Sequence, residues 1–367
     1  GIRILESGLK TGLIAEIGSG QPVVALRADI DALPILEQTN LPYQSQNPGV
    51  MHACGHDFHQ TSLLGAAALL KEKEDQLEGT VRLIFQPAEE ISEGASDVLA
   101  TGLLEDVQGI IGFHNIPQLK AGQLALNAGA MMAGVEKFKV TVTGVSSHAA
   151  RPDLGVDTVT AVTTMVQNVQ LLISRTVSPF ETAVLSITHL DVGSTWNVLP
   201  KSGYFEGTIR SFNPSVQRDL KAHFISIIRH IAESLEVDVA FEWGVTPPVT
   251  FNDEELTQVV WEASQGLAEV IPAKPSTAST TERLRGYDPT PSTACCVTTS
   301  ARAHRHSGLD GSSMTKTRQR LTSMTQRTPK LLAITTGCSS SSMVRCRRYV
   351  ATLKHEESSS RVTSPLG

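Results

Sequence analysis

The sequence predicts an α/β domain built on a mostly parallel sheet and interrupted by a smaller ferredoxin-like α+β insert. Three observations lead there. Strand-type and helix-type segments alternate through residues 11–130, the texture changes near residue 133, and the segments that follow run in the order βαββαβ. Alternation of strands and helices implies a covered parallel sheet, and βαββαβ is the split ferredoxin-like order. A length of 367 residues suits two domains. The expected division is 1–132 for the first part of the main domain, 133–243 for the insert, 244–272 for the return, and 273–367 as an anomalous segment.

Each element has its own signal. Residues 22–29 (PVVALRAD) are a short apolar run ending in acid, read as a strand. Residues 60–74 (QTSLLGAAALLKEKE) are helical, apolar on one side and charged at the end, and 80–86 (TVRLIFQ) is a buried strand. A helix is expected over 92–105 with Ser92 as its N-cap, then a strand at 110–115 (IIGFHN). In the insert, 136–144 (EKFKVTVTG) alternates as a half-exposed strand does. A helix at 155–173, strands at 182–191 and 202–212, a long helix at 215–236 and a strand at 237–244 follow. Thr246-Pro247-Pro248 marks the return to the first domain.

Composition narrows the function classes. Hydrophobic residues make up 40% and mean hydropathy is -0.04, values of a globular protein. No apolar run approaches the roughly 18 to 20 residues of a membrane span, and Gly1-Ile2-Arg3-Ile4-Leu5-Glu6 lacks the build of a signal peptide. A cytoplasmic location is therefore expected, with no membrane partner. The net charge of -6 divides unevenly: residues 1–272 carry 16 basic and 32 acidic side chains, whereas 273–367 carry 15 and 5. An acidic body argues against nucleic acid as a partner. In the last 95 residues 32 are Ser or Thr and none is Phe or Trp, too little apolar surface to offset chain entropy.

The chemistry-bearing residues fall where expected strands end, which is where ligands bind in open α/β sheets. Met51-His52-Ala53-Cys54-Gly55-His56-Asp57 places a thiol and an imidazole two residues apart, with His59 close behind. Both Cys54 and His56 are ligand types for zinc and similar ions, and Gly55 lets the backbone turn so that they converge. Glu89 and Glu90, adjacent after the buried strand, repel each other unless a cation lies between them. One of the pair can bind metal while the other faces an attacking water. His114 closes the apolar strand before Asn115. Asp31, in Arg27-Ala28-Asp29-Ile30-Asp31, is the better candidate of its loop for a carboxylate that orients an imidazole. In the insert His148, Asn197 and Arg210 stand at element ends; alone, each reads as a surface residue.

These motifs in this order resemble the aminoacylase-like metallopeptidase family, in the branch of bacterial N-acyl-amino-acid amidohydrolases, hippurate hydrolases and plant indoleacetyl-amino-acid hydrolases. The stretches that carry the resemblance are TGLIAEIG, ALRADIDALPI, MHACGHDFHQTSLLGAA, LIFQPAEE, GFHNIP, SSHAARP, NVLP, GTIRSF and PPVTFND, and they cover about residues 1–272. The resemblance implies a zinc-peptidase-like catalytic domain with an inserted lid or dimerisation domain, and a homodimer formed through that insert. It implies Cys54, His56, Glu90 and His114 as ligands of two divalent ions per subunit (zinc, manganese or cobalt), with Cys54 bridging them. Glu89 is then the general base, His148 steadies the oxyanion, and Asn197 and Arg210 help hold substrate. The expected reaction is hydrolysis of an N-acyl amino acid to a carboxylate and a free amino acid. A metallo-carboxypeptidase or dipeptidase is the rival enzyme; Cys54 in place of a bridging Asp favours the amidohydrolase.

Agreement with the family stops at about Ala278. The path AKPSTA continues as STTERLRGYDPTPSTACC, where the family carries an acidic segment, a Phe-rich strand and one more metal-binding His. A change of reading frame near that point accounts together for the Ser/Thr/Arg excess, the absent Phe and the reversed charge. His304 and His306 stand at roughly the expected distance in unmatched surroundings. A chain without that ligand could be an inactive homologue.

Overall fold

The computed structural model describes residues 1–244, 247–277 and 295–301, the last as backbone alone. His304, His306 and the rest of the anomalous segment beyond 277 lie outside the described residues, as does the reading-frame change placed near Ala278. The described chain divides into two compact units. One comprises Gly1–Gly129, Phe251–Lys274 and the strand at 295–301; the other comprises Ala130–Thr250 with 275–277.

In the first unit the strands are β1 (Arg3–Leu5), β2 (Leu13–Gly18), β3 (Val23–Asp29), β4 (Thr80–Gln86), β5 (Val107–Asn115) and β6 (Gln123–Leu126), with helices α1 (His56–Glu72) and α2 (Gly94–Ala100) between them. After the second unit the chain adds helix α5 (Glu254–Ser264) and strands β15 (Glu269–Pro272) and β16 (Cys295–Ala301). They form one sheet in the order β1-β2-β4-β3-β5-β16-β6-β15. All seven residues of β4 are buried, as a strand covered on both faces must be. Alternation sorts the side chains. Ala15, Ala28, Leu83 and Phe85 meet Leu63, Ala67 and Leu70 of α1 on one face. Ile14, Val23, Ala25 and Ile84 meet Val98 of α2 on the other.

The sheet is mixed, which corrects the expectation of a mostly parallel one. β3 runs parallel to β4 and β5, but β2 is antiparallel to β1 and β4, and β16 is antiparallel to β5. The turn between β1 and β2, with Gly8 and Gly12 at positive φ, is short enough only for an antiparallel return. Two helices also differ from expectation. α1 starts at His56, four residues earlier, because the turn at Gly55 (φ 80°) delivers the chain directly into the helix. α2 spans only Gly94–Ala100. Ser92 is not its cap but a left-handed residue (φ 60°), and Gly102 (φ 72°) ends the run that helical pattern alone would extend.

The second unit holds β8 (Gly134–Thr143), β9 (Ser147–His148), α3 (Thr158–Thr176), β10 (Ala183–Val192), β11 (Val198–Leu199), β12 (Ser202–Ser211), α4 (Pro214–Ser234) and β13 (Asp238–Trp243); the chain enters it along β7 (Gly129–Met132) and leaves it along β14 (Thr250–Asn252). β10, β12, β8 and β13 form a four-stranded sheet in that order, every pair antiparallel. Numbered within the insert, the order is 2-3-1-4, as the split βαβ arrangement requires. Phe138, Val140 and Val142 alternate onto the face covered by α3 and α4, where they meet Met165, Val169, Phe224 and Ile228. Asp157 caps α3 by accepting from the N–H groups of Val159 and Thr160, and Asn213 caps α4 just before Pro214. This unit thus has a complete core of its own.

Candidate metal centre

The donors converge because three neighbouring parallel strands and one helix end together. Asp29 closes β3, the Pro87–Glu90 loop leaves β4, His114 lies at the end of β5, and His56 opens α1. The loop after β4 is tightly wound. Ala88 sits at φ 52°, and its carbonyl accepts from the N–H groups of Glu93 and Gly94. A Cβ at Gly94 would collide with the Pro87 carbonyl, so glycine is required there for the turn that aims the two glutamates.

Three groups of donor atoms each fall within 4.8 Å: Cys54, His56 and His114; His56, Glu89 and Glu90; and Asp29, His56 and His59. The Cys54 Sγ lies 3.3 Å from His114 Nε2. His114 Nδ1 donates to the Asn115 carbonyl at 2.7 Å, which leaves the lone pair of Nε2 as the one it can offer to a metal. His56 Nδ1 faces both the carbonyl and the Oδ1 of Asp31, each at 3.0 Å. Its Nε2 is buried and makes no hydrogen bond. Around that nitrogen stand Asp29 Oδ2 at 3.7 Å, Glu90 Oε1 at 3.7 Å and Glu89 Oε2 at 3.9 Å. Asp31 does more than orient one ring: its Oδ2 also accepts from the Glu90 N–H at 2.9 Å, and its carbonyl faces His52 Nδ1 at 3.1 Å.

Electrostatics describe a cluster with an excess of negative charge. Burial and the neighbouring Glu90 and Glu89 carboxylates push the Cys54 thiol far up. Burial and Glu89 raise Glu90. Burial holds His114 down at about 3. For His56 burial favours the neutral ring, but the hydrogen bond to Asp31 and the charges of Asp29 and Glu89 outweigh it and raise the group. A divalent cation inverts this pattern, drawing the thiol and carboxylates into their charged forms and the imidazoles into their neutral ones.

Cys54, His56, Glu89, Glu90, His114 and Asp31, named from sequence, are all brought together here. The remaining three lie in the insert. His148 on β9 pairs with Val198, and the Ala149 N–H donates to the carbonyl of Asn197, so His148 and Asn197 share one corner of that unit. Arg210 is buried on β12, and its Nη1 donates to the Thr277 carbonyl at 3.3 Å. Sequence reasoning passed over Asp29 in favour of Asp31. It also gave no role to Asn115, whose side chain and backbone N–H both face His59 Nε2. A signal for Asp29 existed: as the last residue of an apolar strand it had to be buried, and a buried carboxylate needs partners.

The family model that matches is described as peptidase family M20/M25/M40, and it covers residues 25–308. Among curated relatives, an N-acetyl-L-cysteine deacetylase of Bacillus subtilis is 43% identical over 281 residues, which is 76% of this chain and 68% of that protein. A hippurate hydrolase of Campylobacter jejuni is 34% identical, over 73% of this chain and 70% of that one. A solved structure from Bacillus subtilis, described as a dinuclear metal binding peptidase from the M20 family, superposes with a TM-score of 0.67 at 34% identity, covering 91% of this chain and 88% of that one.

Proposed function

From the premise that the chain belongs to peptidase family M20/M25/M40, we propose that it hydrolyses N-acyl amino acids at a centre holding two divalent metal ions. The observation that carries the reading is His56 Nε2, buried, without a hydrogen bond and ringed by three carboxylates at 3.7 to 3.9 Å. An imidazole nitrogen so placed fits a cation at the centre of the ring. Cys54, His56, Glu90 and His114 would hold the ions; zinc, manganese and cobalt all suit this mixture of sulfur, nitrogen and oxygen donors.

When bound, the metal ions polarise the scissile carbonyl and lower the pKa of water. The chain's own residues do the rest. Asp31 holds the proton on His56 Nδ1, so Nε2 stays a donor of its lone pair, and it fixes the Glu90 backbone. Glu89 takes a proton from the attacking water and returns it to the leaving nitrogen as the amide C–N bond breaks. The products are a carboxylate and a free amino acid. To the insert we assign His148 as the donor that steadies the developing oxyanion and Asn197 and Arg210 as substrate-holding groups. We assign it also the role of a lid that forms a homodimer. Among the described residues no helix is long and apolar enough to cross a membrane.

The test is release of free amine from N-acetyl-L-cysteine and from hippurate by the metal-loaded chain. Glu89→Gln is expected to lower kcat by about 100- to 10,000-fold while the bound metal, counted by elemental analysis, stays at the wild-type level. Hydrolysis that survives complete metal removal would sink the proposal.

A further inference from the structure

His59 belongs to one of the three donor groups, yet both of its ring nitrogens are engaged by the protein. The ring is fully buried. Nδ1 lies 2.5 Å from Asp29 Oδ1, and Nε2 is enclosed by Asn115, whose backbone N–H is at 3.0 Å and whose side-chain Oδ1 is at 2.7 Å. Asp29, itself buried and paired with Arg27 at 2.8 Å, can only accept. Nδ1 therefore donates its hydrogen bond to Asp29, and Asn115 occupies Nε2 in either protonation state: a bare Nε2 accepts from the backbone N–H, and a protonated one donates to Oδ1. No lone pair is left for an ion.

Asn115 passes this constraint to the centre in two ways. Its carbonyl accepts from His114 Nδ1 at 2.7 Å, which turns His114 Nε2 toward Cys54 Sγ. Its side chain also lies over Gly55, the residue between Cys54 and His56, so closely that a Cβ there would come within 2.5 Å of the amide. Removing His59 would free both the strand end that carries His114 and the group that packs on the Cys54–Gly55–His56 turn.

We propose that His59, held by Asp29, is a positioning residue of the metal centre: it binds no ion, and through Asn115 it sets the direction of His114 and the packing above the Cys54–His56 turn. This rests on the metal reading of Cys54, His56, Glu90 and His114. Partners of this kind are worth about 10- to 100-fold in metal affinity.

The experiment is titration of the metal-free full chain with Co(II), following the visible bands and the near-ultraviolet thiolate-to-cobalt band that reports Cys54. His59→Phe removes both hydrogen bonds. His59→Gln, whose amide keeps an acceptor for the Asn115 N–H, is the variant to rely on if the Phe ring prevents folding, with melting of the metal-free form as the control. The expected result is an unchanged number of Co(II) bound per chain, affinity about 10- to 100-fold weaker in His59→Phe with a diminished thiolate band, and partial recovery in His59→Gln. Loss of one bound Co(II) in either variant would make His59 a ligand and overturn the proposal. Wild-type affinity and spectrum in the folded variants would overturn it as well. A wild-type chain that takes up no Co(II) removes the metal reading itself, an outcome distinct from both.

Discussion

Gly55 shows how much of the centre depends on single positions. At φ 80° it occupies the left-handed region, and a Cβ would stand 2.5 Å from the Asn115 amide. Gly55→Ala therefore combines backbone strain of about 1–3 kcal/mol with displacement of Asn115, and should lower both stability in urea and metal uptake. A variant with wild-type metal affinity would show that the turn tolerates a side chain. Asp29 has a pH signature. Burial alone would raise it, but the hydrogen bond from His59 and the charge of Arg27 hold it far below its ordinary 3.8. A depressed carboxylate adds stability that is complete above the unfolded value and declines as pH falls below it. Asp29→Asn should accordingly flatten the acid limb of the stability curve below about pH 4; a curve parallel to wild type down to pH 2 would refute this. Cys54, His56, Glu89, Glu90 and His114 were legible in sequence because each sits in a short contiguous motif beside an apolar run. The choice of Asp31 over Asp29 was not settled there. The two differ by two positions, and only the closing of β3 at Asp29 decides which carboxylate is buried against His59.

Among the elements, β2 and β4 are joined by more than their ladder. Arg82 of β4 is buried, with Nη2 3.0 Å from Glu16 Oε2 of β2; Asp106 and the Leu103 carbonyl lie at its other nitrogen. Breaking a buried pair by removing one partner costs about 3–5 kcal/mol. Asp106 stays on the Arg82 guanidinium, so Glu16→Ala should fall at or below the lower end of that range by urea unfolding, whereas Asp157→Ala, which removes only the cap of α3, should cost about 1 kcal/mol. Equal costs for the two would mean that Asp106 and water satisfy Arg82 when Glu16 is gone. Strands and helices were visible as elements because burial imposes its period on the sequence: β4 is buried throughout, with an apolar run at Leu83–Phe85, and β8 alternates. Strand direction was not visible. Whether β2 runs with or against β4 is decided by a hydrogen-bond register that leaves no period in the side chains. The ends of α1 and α2 were missed for a local reason. Gly55, Ser92 and Gly102 fix them through positive φ, which helical patterning does not encode.

For the whole molecule the decisive feature is two separate cores. The candidate metal donors all lie in the first unit, whose strands are covered by α1, α2 and α5, while the insert closes its own core around Phe138, Phe205 and Phe224. A ligand that binds only the folded state stabilises it by RT ln(1 + [L]/Kd), about 2.7 kcal/mol at a hundredfold excess over Kd. That term belongs to the unit holding the donors. Chelation should therefore lower the unfolding temperature of the first unit and leave that of the insert nearly unchanged, splitting one calorimetric transition into two or widening the gap between them. The tryptophans supply an independent assignment. Trp261 packs beside Val260 in the first unit, and Trp243 packs against Phe138 and Phe224 in the insert. A chain retaining only Trp261 should report the metal-sensitive transition, and one retaining only Trp243 the insensitive one. A single transition that shifts as a whole on chelation, identical by both tryptophans, would show that the units unfold together and that the stability supplied by the metal is shared across the chain.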